Sequence, residues 1–344
     1  MMSWSLALAT YERRDVLEQC IHCILAQSYR PKEIVVVDGS RSWRENKAAV
    51  EALLQDEHGI TLIYEEALVR SAAAQRNQAA EICSGDVLFF IDDDTLMYPE
   101  CAERIMEIYT ADKNCQIAAV AGANVGQNPL NCSNSKEASL LSSSPGGGVV
   151  KKAVRFILNA NSRFLPYEDS FPSHDAPEFL KDFKVAFCNT LPGFSLTMRS
   201  EIAKKEKFDN RLLRYSAEED SDITYRASRS GLLIKSLDAK LHHIGSPGGR
   251  LSTYTTTALT AINLVFLHRI NSPDLKSSKF RLWKFLLRRS VIEAAKDVYY
   301  RDPLFPRFRG IIRGIHSIGS LLNTNMQSSI EKFCSIQEKL VLDK

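Results

Sequence analysis

The first hundred residues alternate two kinds of segment, and that alternation narrows the fold more than any other feature. Apolar, strand-like runs lie at Ser3–Thr10, at 33–38 within the β-branched PKEIVVVDGS, at 60–66 and at 86–92. Between them come segments of helical period. In RRDVLEQCIHCILAQS, Val16, Leu17, Cys20, Ile24 and Leu25 fall on one face. NKAAVEALLQDEHG and SAAAQRNQAAEICSG read the same way, the second closing on Gly85 as a C-cap. Strand–helix–strand units of this length predict a largely parallel, doubly wound α/β sheet. Right-handed crossovers then line up the loops that follow the strands along one edge. Thr10, Asp38–Ser40 and Asp92–Asp94 all fall on that edge.

Downstream, Val125–Val150 is rich in Ser, Gly and Asn and reads as a long loop. VAFCNTLPGFSLTMRSEI returns to strand character, SAEEDSDITYRASRSG reads as a helix with an acidic first turn, and AKLHHIG reads as a strand end. Beyond about Leu251 only helical segments rich in basic and aromatic residues remain. The division expected is a domain over residues 1–250 and a helical, basic region over 251–344.

With 344 residues the chain can bury a large core. A net charge of +3 is too small to argue for nucleic acid, and none is expected as a partner. The N-terminal stretch lacks the pattern of a signal peptide, and no run reaches about 18 apolar residues. Eight scattered cysteines read as reduced thiols in a cytoplasmic protein. Cys20 and Cys23 have metal-ligand spacing, but no second pair completes a four-ligand site. They are expected to pack as core thiols.

Asp92, Asp93 and Asp94 directly follow the apolar run DVLFFI. Crowded carboxylates resist ionisation unless a cation sits among them. Mg²⁺ or Mn²⁺, held by one or two carboxylates and substrate phosphates, would answer that need. An aspartate-nucleophile phosphatase requires a different spacing between its second aspartate and the following Thr. A dinucleotide-binding dehydrogenase requires G-x-G-x-x-G after the first strand, and ATYERRD has no glycine.

QSYRPKEIVVVDGS, RSAAAQRNQAA, GDVLFFIDDDT, LPGFSLTMRSEI, FDNRLLRYSAEEDSDITYR and LHHIGS occur in that order. Together, over roughly Ser3 to Gly249, they resemble the family 2 glycosyltransferases. The resemblance implies a GT-A fold, Rossmann-like and nucleotide-sugar-binding, and a metal-dependent inverting transfer. The acceptor implied is a glycan or a lipid-linked hydroxyl, in cell-envelope polysaccharide synthesis. Thr10, Glu12 and Asp38 would meet the nucleotide base or ribose, with Arg76 and Asn77 nearby. Asp92 would contact ribose or sugar and Asp94 the metal. Asp93, between them, is counted with the nucleotide-sugar contacts, its side chain expected to point away along the strand end. Gly193 and Ser195 match the segment lining sugar and acceptor. Asp220 is the expected catalytic base, beside Glu219. His243, or its neighbour His242, would complete the metal shell. A nucleotidyltransferase of similar fold would usually carry a Gly- and Arg-rich loop near its start, which is absent. An inactive membrane-surface scaffold would not need the acidic motifs.

From Lys276 to Arg313 eleven Lys or Arg face only three acids, Glu293, Asp297 and Asp302. Aromatic and aliphatic residues are interleaved with them. That mixture suits an anionic membrane surface, giving a peripheral location on the inner face of the cell membrane.

Overall fold

The computed structural model describes residues 2–131, 172–214, 217–246 and 251–342. Residues 132–150 of the Ser- and Gly-rich stretch therefore lie outside the described residues. The chain forms two compact units. Among the described residues, the first unit holds 2–131, 172–210 and 219–246, and the second holds 211–214, 217–218 and 251–342.

The first unit is built on one nine-stranded sheet. Its leading half follows the alternation in the sequence: β1 (Trp4–Thr10), α1 (Arg14–Leu25), β2 (Glu33–Asp38), α2 (Trp43–Leu53), β3 (Thr61–Glu66), α3 (Ala72–Ile82) and β4 (Val87–Ile91). Every residue of β2 and of β4 is buried. That explains their continuous apolar runs, since a parallel sheet is covered on both faces. Successive side chains feed two cores. Leu6, Leu8, Ile34, Val36 and Phe89 pack on one face with Leu17, Cys20, Ile21 and Ile24 of α1. Ala7, Val35, Val37, Leu88 and Phe90 pack on the other with Ala73, Ala79 and Ala80 of α3. Cys20 and Cys23 are buried thiols, and burial pushes Cys23 up to about 11.

The strands run in the order β3-β2-β1-β4, all parallel. The chain moves outward from β1 to β3 and then crosses back to set β4 on the other side of β1. Loops after β1 and β4 therefore diverge, which opens a crevice at their carboxyl ends. Ala9 and Asp92 bridge at that point.

Past β4 the sheet becomes mixed. The remaining elements are β5 (Thr95–Met97), α4 (Cys101–Ala111), β6 (Ile117–Asn124), β7 (Val185–Phe187), β8 (Ser195–Arg199), α5 (Ser200–Glu206), α6 (Glu219–Ala227) and β9 (Leu232–His243). β8 runs antiparallel between β4 and β6, and β9 pairs parallel with β6. β5 lies antiparallel on β9 with Thr95 opposite His243, which carries the end of β9 to the acidic triplet. Gly193–Ser195 sits at the start of β8, with Ser195 opposite Ile91.

β8 is fastened at its far end. Arg199 donates from Nε to the Ile117 carbonyl at 2.9 Å and pairs through Nη2 with Asp112 at 2.7 Å. Asp112 also accepts the Gln116 and Ile117 amides.

The second unit consists of α7 (Thr253–Asn271), α8 (Leu275–Tyr299), α9 (Pro306–Leu322) and α10 (Met326–Leu342). Ser252 caps α7 by accepting the Thr255 amide. Gly310 and Gly314 let α9 lie close on α7, for a Cβ at 314 would stand 2.4 Å from that of Ala261. Leu259, Ile262, Phe266, Leu282, Phe285, Ile311, Ile318 and Phe333 fill the core between these helices. Among the described residues no helix is long and apolar enough to cross a membrane.

Replacing Arg199 by Ala leaves the Asp112 carboxylate buried without its cation, a loss of about 3–5 kcal/mol. Urea denaturation should show it as a lowered midpoint. An unchanged midpoint would mean that the pair does not anchor β8.

Candidate functional site

The three aspartates after β4 do not share one environment. Asp92 is half-buried and accepts from Arg76 Nη2 at 2.6 Å. Asp93 turns inward. It is 4% exposed, accepts from the Thr10 hydroxyl at 2.8 Å and pairs with Arg13 at 3.0 Å. Burial pushes its carboxyl up to about 6, against the opposing pull of Arg13 and Thr10. Asp94 is buried as well. Its Oδ2 accepts the Ser246 amide at 2.7 Å and lies 3.6 Å from Arg13. Burial opposes its charge, but His243, Ser246 and Arg13 together hold its pKa below the usual carboxylate value.

The two histidines part company because neighbours on a strand face opposite ways. His243 Nε2 is 3.2 Å from Asp94 Oδ1 and 3.8 Å from Asp92 Oδ2. Its ring stacks on Phe194, with centroids 4.5 Å apart and planes 4° from parallel. His242 points elsewhere and meets the Val125 carbonyl through Nδ1 at 2.9 Å. Asp92, Asp94 and His243 bring one ligand atom each to within 4.8 Å of one another.

Arg76 ties this cluster to the start of α6. It is 5% exposed, and its guanidinium holds Asp92 through Nη2 and Glu219 through Nη1. Asp220, the neighbour of Glu219, has no basic partner among the described residues. It accepts the Gly193 amide at 3.0 Å and the Ser221 amide at 2.7 Å. Gly193 leaves room between Asp220 and Arg76: a Cβ there would stand 3.4 Å from the Arg76 guanidinium and 3.5 Å from the Asp220 Cβ. Ser195 is buried, and its hydroxyl has no hydrogen-bond partner.

Other expected residues stand behind the crevice. Asp38 is fully buried, and both its oxygens are engaged: Oδ1 by the Ser40 amide, Oδ2 by Asn46 and Tyr64. Asn77 accepts the Phe208 amide and donates to its carbonyl, so it braces that segment. Glu12 adopts a positive φ of 53° and accepts the Arg41 amide, joining the turns after β1 and β2. A cleft of about 650 Å³ opens beside these turns, lined by Glu12, Arg13, Ser42, Asn46 and Ser246 among others. Sequence reasoning missed Arg13, Phe194 and Ser246. The signal for Arg13 was present, since ERRD supplies basic residues directly after β1 to face an acidic run directly after β4.

Residues 5–148 match the family model described as Glycosyl transferase family 2. This segment belongs to that family. The chain is also similar to curated and solved proteins. A glucosyl-dolichyl phosphate glucuronosyltransferase of Haloferax volcanii is 30% identical over 130 residues, 36% of this chain and 39% of that protein. The match therefore spans well under half of that relative. The mannosyltransferase PcManGT from Pyrobaculum calidifontis, solved with GDP-Man and Mn²⁺, superposes with a TM-score of 0.53 at 15% identity. That likeness covers 92% of this chain and 87% of that one. TarS 1–349 of S. aureus gives 0.51 at 12% identity, over 100% of this chain and 92% of that one. At such identities the two structures establish a shared GT-A glycosyltransferase fold and nothing more.

Thr10 holds Asp93 in the interior, so Thr10→Val should leave a buried carboxylate short of a donor. The expected loss is about 1–3 kcal/mol, read from chemical denaturation. An unshifted curve would mean that the hydroxyl contributes nothing to seating Asp93.

Proposed function

We propose that the chain transfers a sugar, with inversion, from a nucleoside-diphosphate sugar to a hydroxyl of a glycan or lipid-linked acceptor. Synthesis of cell-envelope polysaccharide, at the inner face of the membrane, is the setting proposed. The observation that carries the reading is the meeting of Asp92, Asp94 and His243 at the sheet's switch point, linked by Arg76 to Glu219–Asp220. The relatives support it: one is named for transfer to a glucosyl-dolichyl phosphate, another was solved with GDP-Man and Mn²⁺.

The donor set fits a divalent cation. Asp94 Oδ1 is buried and faces the His243 imidazole at 3.2 Å, the other side-chain ligand, while Oδ2 is satisfied by Ser246. Two carboxylates and one imidazole suit Mn²⁺, and Mg²⁺ with more water. Asp94 and His243 would hold the ion, with Asp92 shared between it and the ribose or sugar. When bound, such an ion offsets the charge that develops on a diphosphate leaving group.

The chain's own residues do the rest. The cleft at Glu12, Ser42 and Asn46 has the size of a small-ligand site and takes the nucleoside. Asp38 serves there from behind, by fixing Ser40 and Asn46, rather than by touching the base. Arg76 keeps Asp92 oriented and neutralises Glu219. Asp220 removes the proton of the acceptor hydroxyl. A carboxylate held by two amides and the Ser221 hydroxyl is more available for that task than one bound to a guanidinium, which is why Asp220 is preferred to Glu219.

Asp220→Asn should lower kcat by about 10²–10⁴-fold while donor affinity stays nearly constant. Glu219→Gln should raise KM or disturb the fold through Arg76 instead. The donor is found first, by a thermal-shift screen of nucleotide sugars with Mn²⁺ or Mg²⁺, since ligand binding raises Tm. Wild-type turnover in Asp220→Asn would remove the base assignment. Absence of any stabilising nucleotide sugar would remove the transfer reading itself.

A further inference from the structure

Helix α8 wears part of its apolar surface on the outside. Phe280, Leu287, Val291 and Val298 recur seven, four and seven residues apart, which sets them on one stripe. They are 74%, 45%, 59% and 64% exposed. The opposite face begins conventionally, with Leu282, Phe285 and Leu286 buried in the core of the helical unit. It then turns polar: Ser290, Glu293 and Asp297 are all buried. Each is provided for. Ser290 donates to the Leu287 carbonyl, Glu293 pairs with Arg289 and Lys296, and Asp297 accepts the Phe308 amide and pairs with Arg307. The second half of α8 thus keeps satisfied polar groups inside and apolar ones outside, the reverse of a helix meant for water on its outer face.

Exposed Tyr299 at the helix end, and Tyr300 and Leu304 beyond it, add to the apolar surface. Basic residues border it. Lys276, Lys284 and Arg301 are exposed and Arg288 half-buried, and none has a carboxylate partner among the described residues. Basic side chains around an apolar stripe match the layered chemistry of an anionic bilayer surface: acyl chains below, phosphates above.

We propose that the Phe280–Val298 stripe seats the helical unit on an anionic lipid surface, with α8 lying in the interfacial plane. Phe280, Leu287, Val291 and Val298 enter the acyl boundary, while Lys276, Lys284, Arg288 and Arg301 meet lipid phosphates. Charge complementarity selects lipid over a second copy of the chain. A two-fold contact through this stripe would set the same basic border against itself, and facing like charges oppose association.

The test is co-flotation of the full chain with vesicles of phosphatidylcholine, alone or mixed with phosphatidylglycerol. The chain should float with the mixed vesicles, and added salt should release it, because screening shortens the reach of the basic residues. Phe280→Ser with Val291→Ser should weaken partitioning by about tenfold or more. Lys276→Gln with Lys284→Gln should weaken it by roughly fivefold per residue. All four positions are exposed, so Tm should hold in both variants and certify their folds. Equal flotation with neutral vesicles, or undiminished flotation of the Ser variant, would overturn the proposal. So would a wild-type chain that stays off both vesicles and sediments as a dimer which the Ser variant dissociates. The assay contains no sugar donor, so its failure leaves the transfer reading standing.

Discussion

Three consecutive carboxylates cannot all be charged in one place, and the first unit is arranged around separating them. Two guanidiniums do most of this. Arg13, directly after β1, meets Asp93 and Asp94. Arg76, from α3, meets Asp92 and reaches across to Glu219. Both come from elements packed on the strands flanking the crevice, so the parallel order β2-β1-β4 is also what assembles the charge balance. Taking either cation away leaves buried negative charge, which is far more costly than a lost surface pair. Asp93 shows how tight the balance is, since even with Arg13 and Thr10 beside it burial drives its carboxyl up to about 6. One buried oxygen of Asp94 faces the His243 imidazole, 3.2 Å away.

Much of this could be read in the chain itself. The leading four strands announce themselves as short apolar runs between segments of helical period, and their crossovers place Thr10 and Asp92–Asp94 on one edge. The second half was less legible. β6 is IAAVAGAN, rich in small residues and poor in β-branched ones, and neither it nor α4 stood out. The antiparallel seat of β8 between β4 and β6 depends on pairings across more than seventy residues, which no local pattern encodes.

The same limit applied to individual side chains. A doubled histidine offers two candidates, and only the register of β5 on β9 turns His243 toward the acidic cluster and His242 away. Asp93 was expected to point away along the strand end. It turns inward because Thr10 and Arg13 offer it donors there. Asp38 was expected at the nucleotide. Asn46 and Tyr64 complete its hydrogen bonds inside the protein. Motif spacing identified the residue types, and the hydrogen-bond partners decided which of them face the crevice. The helical unit followed a comparable course. Its basic charge was plain from composition, but the outward apolar stripe of α8 needed the burial of Ser290, Glu293 and Asp297 to be seen.

The central claim is that Asp92, Asp94 and His243 form a cation site that works together with a nucleoside diphosphate. Electron paramagnetic resonance of Mn²⁺ measures it directly, because the sharp signal of the aqueous ion is lost on binding. Titration with Mn²⁺ in the presence of UDP or GDP should quench that signal for the wild-type chain. His242→Ala should behave like wild type, and His243→Ala should need much more protein for the same quenching. Equal titrations for all three proteins, or a loss confined to His242→Ala, would contradict the account.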